Sequence, residues 1–193
     1  ALTEEIQSCG IQTIQPIGAI HRPILFSLYQ AYLLTLEIPH AKDLTQFLQE
    51  IGPHPIGETL LNKRRMIRSA GLLLQKFHQR GFFHRDLQLK NILVTGDQPL
   101  LIDFDRSYRK PVLSIRERLN NLLRLNRSAE KWKRFGLPIS RADRWRFFLA
   151  YAEDDVEIRE AMQKALRTYS LRVIFYRLGW TAEKIVRSVS FNS

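Results

Sequence analysis

The segment His84-Arg-Asp-Leu-Gln-Leu-Lys-Asn91 constrains this 193-residue chain most, because it places a carboxylate and a carboxamide five residues apart. A second carboxylate, Asp103, follows at the end of a short apolar run. Magnesium prefers oxygen ligands of this kind, and phosphoryl transfer asks a protein mainly for positioning and charge neutralisation. The pattern therefore indicates a phosphoryl-transfer site. Asp86 would accept a hydroxyl proton, and Asn91 and Asp103 would hold Mg²⁺ beside the phosphates of ATP.

A predicted β-hairpin joins the two motifs. Residues 91–94 and 100–102 form apolar runs, and residues 95–99 between them include Gly and Pro. This pattern is typical of two antiparallel strands around a turn, which would carry the functional side chains at their outer ends. A lone His-Arg-Asp sequence would fit a surface turn closed by a salt bridge. The paired motifs favour the phosphoryl-transfer interpretation.

With these residues the chain resembles the C-terminal part of a protein-kinase-like fold, and more narrowly the lipopolysaccharide kinase family that phosphorylates Kdo or heptose of the inner core. The narrower resemblance rests on Gln88 in place of the usual lysine and on Asp-Phe-Asp-Arg at 103–106 in place of Asp-Phe-Gly. It also rests on the basic segment 118–128 and on Arg-Trp-Arg-Phe-Phe-Leu-Ala-Tyr at 144–151. The implied fold class is α+β, with a mainly helical C-lobe and part of the N-lobe.

The resemblance implies a boundary between lobes near residue 38. Residues 1–38 would be a remnant of the N-lobe, with the end of helix C, two strands and the hinge, and residues 39–193 the helical C-lobe with the catalytic loop. The backbone of Glu37 and Ile38 would meet the adenine edge, although an ordinary buried strand is the alternative. We expect the N-terminal strands, the glycine-rich loop and the helix C glutamate upstream of Ala1.

Four residues receive supporting roles by the same resemblance. His84 is expected to brace the loop rather than to carry protons, and Gln88 belongs to the loop motif. Arg85 is expected to pair with a local carboxylate or phosphate, because the segment after Asp105 is already cationic and lacks Ala-Pro-Glu. Asp105 replaces a glycine and lacks its freedom at positive φ, so we expect a less mobile loop. Whether Asp105 orients Arg106 or binds metal is left open.

Apolar periodicity and capping residues predict the remaining elements. The predicted helices cover 1–9, 43–50, 59–80, 114–134, 141–152, 156–169 and 171–178, and the predicted strands cover 11–20 and 30–38. Asp43 and Ser140 are placed as N-caps. In the helix over 59–80, the polar face is assigned to Lys63, Arg64, Arg65 and Arg68. In the helix over 141–152, the core positions are assigned to Trp145, Phe148, Leu149 and Tyr151.

The net charge of +11, from 30 Lys and Arg against 19 Asp and Glu, predicts attraction to polyanions. The resemblance implies the inner-core saccharide of lipopolysaccharide or a lipid A precursor as the partner, with an anionic membrane surface as a further one. No nucleic acid is expected, because no binding motif for it is recognisable. The basic segment 114–134 is either a solvated face or a phosphate-binding surface, for which the planar fork of arginine is suited.

The single cysteine, Cys9, excludes an internal disulfide and fits a reducing compartment. No apolar run approaches the ~20 residues of a membrane span, and no signal peptide is visible. We therefore expect a cytoplasmic monomer, with peripheral binding to the cytoplasmic face of the inner membrane as a variant. Two other functions stay open: a small-molecule kinase of the aminoglycoside or choline type, which would favour an acidic pocket, and an inactive kinase-like binding module.

Overall fold

The computed structural model describes residues 2–25, 28–153 and 155–165. The chain divides into two units, Ala1–Glu153 and Asp154–Ser193. In the second unit, residues 156–165 are helical, and the Asp155 carboxylate accepts a hydrogen bond from the Ile158 N–H. The predicted helix over 171–178 and the end of the one before it lie outside the described residues. None of the described helices combines the length and apolarity that a bilayer span requires.

The first unit begins with helix α1 (Leu2–Ser8), and strands β1 (Pro16–Leu25) and β2 (Leu28–Thr35) then form an antiparallel hairpin. The first predicted strand starts later than expected because the chain before Pro16 follows a different sheet. There Thr13 forms a parallel bridge with Leu101, and its hydroxyl donates to the Leu101 carbonyl at 2.6 Å. The start of the chain is thereby attached to the strand that leads to Asp103.

Apolar side chains of the β1–β2 hairpin are exposed on both of its faces. Leu33 and Leu34 are adjacent in one strand and point to opposite faces, yet they are 54% and 47% exposed. Ile17 and Leu36 are exposed as well. Exposed apolar surface of this kind commonly marks contact with another polypeptide segment. The predicted boundary between lobes near residue 38 stays a prediction.

The other elements complete a helical body with two small sheets. In chain order they are β3 (Lys42–Asp43), α2 (Leu44–Ile51), α3 (Gly57–Gln79), β4 (Phe82–Phe83), β5 (Ile92–Thr95), β6 (Gln98–Leu101), β7 (Tyr108–Arg109), α4 (Ile115–Arg134) and α5 (Arg141–Ala152). One sheet has the order β3-β5-β6, and β4 pairs with β7 in another. The predicted hairpin is confirmed as β5–β6, with a shorter turn, because Thr95 and Gln98 already pair.

Capping residues begin these helices where the sequence predicts. The Asp43 carboxylate accepts hydrogen bonds from the backbone N–H groups of Thr45 and Gln46, and the Gln46 side chain accepts from the Asp43 N–H. Ser140 and Asp143 form the same reciprocal capping box at α5. Each box satisfies backbone donors that a helix cannot satisfy internally, so the helix starts are fixed locally.

Helices α3 and α5 pack in direct backbone contact. A Cβ atom on Gly71 would lie 2.5 Å from the Phe147 carbonyl oxygen, so the approach requires glycine. Lys63, which the sequence placed on the polar face of α3, is buried instead. Its Nζ lies 2.8 Å from Asp143 Oδ2 and donates to the Pro138 carbonyl at 2.7 Å. The prediction for Lys63 was wrong because α5 brings a carboxylate to that face.

The prediction of four core residues in α5 holds for two of them. Phe148 and Tyr151 are buried, whereas Trp145 and Leu149 are 49% and 42% exposed. The two exposed residues are four apart and share one helix face. That face points away from Gly71 of α3, whose neighbours in α5 are the Phe147 carbonyl oxygen, the Ala150 Cβ atom and the Tyr151 backbone nitrogen. Their assignment to the core was therefore wrong.

The sheet β4–β7 connects the start of the loop over residues 84–91, called the catalytic loop after the resemblance, to the segment that follows Asp103. Phe82 pairs with Arg109, and the Lys110 N–H donates to the Gly81 carbonyl at 2.9 Å. Gly81 has a φ of 82°, and a Cβ atom there would lie 1.8 Å from the Lys110 carbonyl oxygen. Only glycine permits both the conformation and the approach.

Candidate active site

Asn121 of α4 binds the start of the catalytic loop through the backbone of His84. Its Oδ1 accepts the backbone N–H of His84 at 3.1 Å, and its Nδ2 donates to the His84 carbonyl at 3.0 Å. The same Oδ1 lies 3.1 Å from His78 Nε2, and His78 Nδ1 lies 2.7 Å from the Tyr151 hydroxyl. Burial lowers the pKa of His78 to about 3. The ring is therefore neutral at physiological pH, with Nε2 donating to Asn121 and Nδ1 accepting from Tyr151.

His84 connects this buried network to both motifs. Its Nδ1 accepts the Asp86 N–H at 3.2 Å, and its Nε2 donates to the Ile102 carbonyl at 3.0 Å. Burial is the main cause that lowers its pKa, which fits a neutral ring carrying its proton on Nε2. Both ring nitrogens are therefore engaged in hydrogen bonds to the backbone, and the bracing role of His84 stays a prediction.

The Asn91 side chain links the three predicted site residues, because it meets the backbone of Asp86 and the carboxylate of Asp103. Asn91 Nδ2 donates to the Asp86 carbonyl at 2.8 Å and lies 3.5 Å from Asp103 Oδ2. Since the amide nitrogen is committed, Asn91 Oδ1 is left for a metal ion. The described part of the chain has no cluster of three or more His, Cys, Asp or Glu side chains suited to a metal. A donor set of one carboxylate and one amide oxygen fits Mg²⁺, which usually keeps several waters.

Asp103 adopts a backbone conformation that is uncommon outside glycine, with a φ of 63°. Strained residues of this kind cluster at functional sites. Phe104, the next residue, stacks on Phe77 of α3 with ring centroids 6.0 Å apart, which anchors the segment. Arg106 has the other positive φ of this loop, 58°, so Asp105 occupies the glycine position without needing glycine's conformation. No hydrogen bond joins Asp105 to Arg106 among the described residues.

Both oxygens of the Asp86 carboxylate accept hydrogen bonds from side chains. Gln88 Nε2 donates to Oδ2 at 2.7 Å, and Arg124 Nη1 of α4 donates to Oδ1 at 3.0 Å. The side chains of Asp86 and Arg124 are 51% and 44% exposed. Position 88, where protein kinases usually have lysine, thus holds a neutral donor, and the cation beside the Asp86 carboxylate comes from a separate helix, α4. Sequence reasoning did not find the Arg124 contact.

One face of α4 follows the catalytic loop along its length. Asn121, Arg124 and Ser128 are spaced by three and four residues, so they lie on the same side of the helix. They contact His84, Asp86 and Leu89 in turn, the last through the Leu89 N–H, which donates to Ser128 Oγ at 3.2 Å. The spacing of these three residues is visible in the sequence, but no residue near them indicates which segment this face of α4 contacts.

Arg85 lacks the carboxylate partner expected for it. Its side chain is exposed, no carboxylate of the described residues forms an ion pair with it, and its backbone N–H donates to Ser107 Oγ at 3.1 Å. The nearby carboxylate of Asp86 is already held by Gln88 and Arg124. The carboxylate half of the expectation is therefore not met, whereas pairing with a phosphate stays a prediction.

The predicted adenine-binding segment follows β2 directly. Glu37 is exposed, and the Ile38 carbonyl accepts the Ala41 N–H at 3.3 Å, which forms a turn. No hydrogen bond of the described residues connects either one to the catalytic loop. Their role in nucleotide binding stays a prediction.

The loop between α3 and the β5–β6 hairpin, with Asp103 just after that hairpin, is the arrangement of a protein-kinase-like fold. The model of the "Lipopolysaccharide kinase (Kdo/WaaP) family" matches residues 1–151, and the chain belongs to this family. The resemblance drawn from the motifs is thereby confirmed.

Individual proteins agree with this assignment. The chain is 34% identical to a 3-deoxy-D-manno-octulosonic acid kinase of Pasteurella multocida over 155 residues, which are 78% of this chain and 60% of that protein. It is 34% identical to the enzyme of the same name from Vibrio cholerae over 132 residues, which are 67% of this chain and 51% of the relative. The chain thus spans about half to three fifths of the length of these curated relatives.

A solved structure supports the fold. The structure described as "WaaP in complex with acyl carrier protein" matches with a TM-score of 0.63 at 19% sequence identity. The match covers 86% of this chain and 73% of the other. At this identity the likeness is one of fold, and the predicted protein-kinase-like α+β class is confirmed.

Proposed function

We propose that this protein transfers the γ-phosphoryl group of ATP to a hydroxyl of a 3-deoxy-D-manno-octulosonic acid (Kdo) residue in the lipopolysaccharide inner core. The observation that carries the proposal is the contact of the Asn91 side chain with Asp86 and Asp103 in a chain of this kinase family. Kdo is preferred to heptose because the relatives reported above are named for it. The acceptor would be Kdo on a lipid A precursor.

Each residue of the site has a stated task in this proposal. Asp86 accepts the proton of the attacking hydroxyl as its oxygen bonds to the γ-phosphorus and the bond to ADP breaks. Asn91 Oδ1 and the Asp103 carboxylate would hold Mg²⁺, which when bound neutralises phosphate charge. The backbone of Glu37 and Ile38 would meet the adenine.

The structure offers arguments against the two other functions. A cation, Arg124, lies beside the base, and like charges repel, so cationic acceptors of the aminoglycoside or choline type are disfavoured. An inactive binding module is disfavoured because Asp86, Asn91 and Asp103 are all present, and the Asn91 side chain joins the Asp86 backbone to the Asp103 carboxylate.

We also propose a location at the cytoplasmic face of the inner membrane, with binding to its anionic surface. The net charge of +11 supports this, because a strongly basic protein is attracted to anionic lipid. The protein would act there as a monomer on a lipid-linked saccharide.

The test is phosphate transfer by the natural full-length protein from labelled ATP to a Kdo-bearing lipid A precursor. We expect Asp86→Asn and Asp103→Asn each to lower the rate by about a hundredfold to ten-thousandfold, with unchanged circular dichroism. Asp97→Asn, in the exposed turn of the β5–β6 hairpin, removes the same charge outside the site and should leave the rate unchanged. Retained activity in either site variant would refute the mechanism. Phosphorylation of an aminoglycoside instead of Kdo would refute the acceptor.

A further inference from the structure

We infer that Arg124 determines acceptor specificity by binding an acidic group of the sugar, and that it leaves Asp86 when it does so. The inference rests on the proposed function and deepens it. In the substrate-free protein the guanidinium reaches Asp86 Oδ1 with one nitrogen, Nη1, at 3.0 Å. No other described residue accepts a hydrogen bond from Arg124. A guanidinium has five N–H donors, so most of its capacity is unused.

The exposure of the pair makes an exchange of partners easy. Arg124 and Asp86 are 44% and 51% exposed, and ion pairs in contact with water contribute little to stability. The carboxylate of a sugar acid can accept two parallel hydrogen bonds from the planar guanidinium, whereas Asp86 accepts one. The competing carboxylate of a bound sugar acid is therefore the better partner.

The position of Arg124 suits this task, because the base must touch the acceptor hydroxyl. Any acceptor in contact with Asp86 Oδ1 lies within a few ångströms of a guanidinium nitrogen that is 3.0 Å from the same oxygen. The helix that carries Arg124 is fixed on either side by Asn121 and Ser128, which bind the loop at His84 and Leu89. Only the arginine side chain has to move.

The exchange also prepares the base. In the free protein, Gln88 and Arg124 occupy the two oxygens of Asp86. When the acceptor carboxylate takes Arg124, Oδ1 becomes available to the acceptor hydroxyl. That hydroxyl gives its proton to Oδ1 as its oxygen bonds to the γ-phosphorus and the phosphorus–oxygen bond to ADP breaks. An acidic acceptor thus binds Arg124 with its carboxylate, and it thereby frees Asp86 Oδ1 to receive the proton of its hydroxyl.

Steady-state kinetics with two acceptors tests the specificity. The acceptors are the methyl glycoside of Kdo and its neutral methyl ester, and the enzymes are the full-length wild type, Arg124→Gln, Arg124→Lys and Arg116→Gln. We expect Arg124→Gln to raise KM for the acid about tenfold to a hundredfold, the range typical of a charged hydrogen bond, and not to raise KM for the ester, which cannot draw Arg124 away from Asp86. Arg124→Lys should recover part of the preference, because lysine keeps the charge but not the fork. Arg116→Gln, which removes an exposed charge from the same helix, should match the wild type.

Equal losses with acid and ester in Arg124→Gln would overturn the inference and leave Arg124 as a residue that only positions Asp86. A wild-type enzyme that does not prefer the acid would also overturn it. If the wild type phosphorylates neither of the two glycosides nor the lipid-linked acceptor, the proposed function fails. The inference about Arg124 is then tested by the binding affinities of the two glycosides.

Calorimetric binding of the two glycosides without ATP provides that test. Asp86→Asn removes the carboxylate that competes with the sugar acid for Arg124. The preference for the acid over the ester should therefore be several-fold larger in this variant than in the wild type. Arg124→Gln should lose this preference in either background. Equal binding of acid and ester by the wild type and Asp86→Asn would refute the exchange, whatever the outcome of the kinetic assay.

Discussion

Two ion pairs of this protein use the same chemistry in opposite surroundings. Lys63 and Asp143 join α3 to α5 with side chains that are 6% and 8% exposed, whereas Arg124 and Asp86 meet at the catalytic loop with about half of each exposed. The buried carboxylate also accepts the Ser140 N–H at 2.9 Å, and the buried ammonium also donates to the Pro138 carbonyl. The buried pair is enclosed by fixed partners, and the exposed pair has water as an alternative.

The difference separates a structural pair from a functional one. Charges removed from water depend on each other, because neither has another partner of comparable strength. Charges at the surface keep their hydration and exchange partners at little cost. The pair that we infer to open when the acceptor binds therefore lies at the surface, and the pair that joins two helices lies in the interior.

Loss of one buried partner should have the largest effect on stability. We expect Lys63→Met to lower the free energy of unfolding by up to about 3–5 kcal/mol, because Asp143 loses its partner at 2.8 Å and keeps only the longer contact with Arg146 at 3.5 Å. The double variant Lys63→Met/Asp143→Asn should recover most of this loss, since it removes the charge and keeps a side chain that can cap α5. Urea denaturation measures both. A loss below about 1 kcal/mol in the single variant would contradict the structural role of the Lys63–Asp143 pair and would mean that Arg146 alone can compensate the charge of Asp143.

Acid should weaken the buried pair in a definite direction. Burial alone would raise the pKa of Asp143, but hydrogen bonds from Lys63 and Ser140 outweigh it, and the net pKa is lowered. The stabilisation is fully present above the pKa of an unfolded aspartate, about 3.9, and is lost as pH falls through the lower folded value. In urea denaturation from pH 5 downward, the stability difference between wild type and Lys63→Met/Asp143→Asn should shift against the wild type. A difference independent of pH would contradict the lowered pKa.

Loss of the exposed partner should have the smallest effect. We expect Arg124→Gln to change the free energy of unfolding by less than about 1 kcal/mol, and the change should shrink further at high salt, which screens exposed charges. Thermal and urea unfolding at two salt concentrations measure it. A loss above about 2 kcal/mol, well beyond the usual range for exposed pairs, would mean that the pair is structural and that the contrast with Lys63–Asp143 fails.

Local signals predicted the frame of the molecule well. The caps Asp43 and Ser140 begin their helices as expected, and the β5–β6 hairpin lies between the two motifs. The spacing within the catalytic loop also placed Asn91 against Asp86 and Asp103. These features depend on residues close in sequence, whose hydrogen bonds or turn preferences act before any tertiary contact forms.

The sequence could not predict which faces meet across long separations. Arg124 reaches Asp86 over 38 residues, and Lys63 reaches the Pro138 carbonyl over 75 residues. A charged residue on a helix has the same local pattern whether water or a buried carboxylate covers it. Asn121, central to the network under the loop, carries no distinguishing signal either. Their roles follow from how α4 packs on the loop and α5 on α3.

The close approach of Gly81 to Lys110 connects the positions of Asp86 and Asp103. One strand of the β4–β7 sheet leads into the loop that carries Asp86, and the other follows the segment that carries Asp103. A side chain at position 81 would push directly on the Lys110 carbonyl, so the displacement would be transmitted to both segments at once. We therefore expect Asp86 and Asp103 to keep or lose their relative positions together, so that a single glycine governs the geometry of both carboxylates.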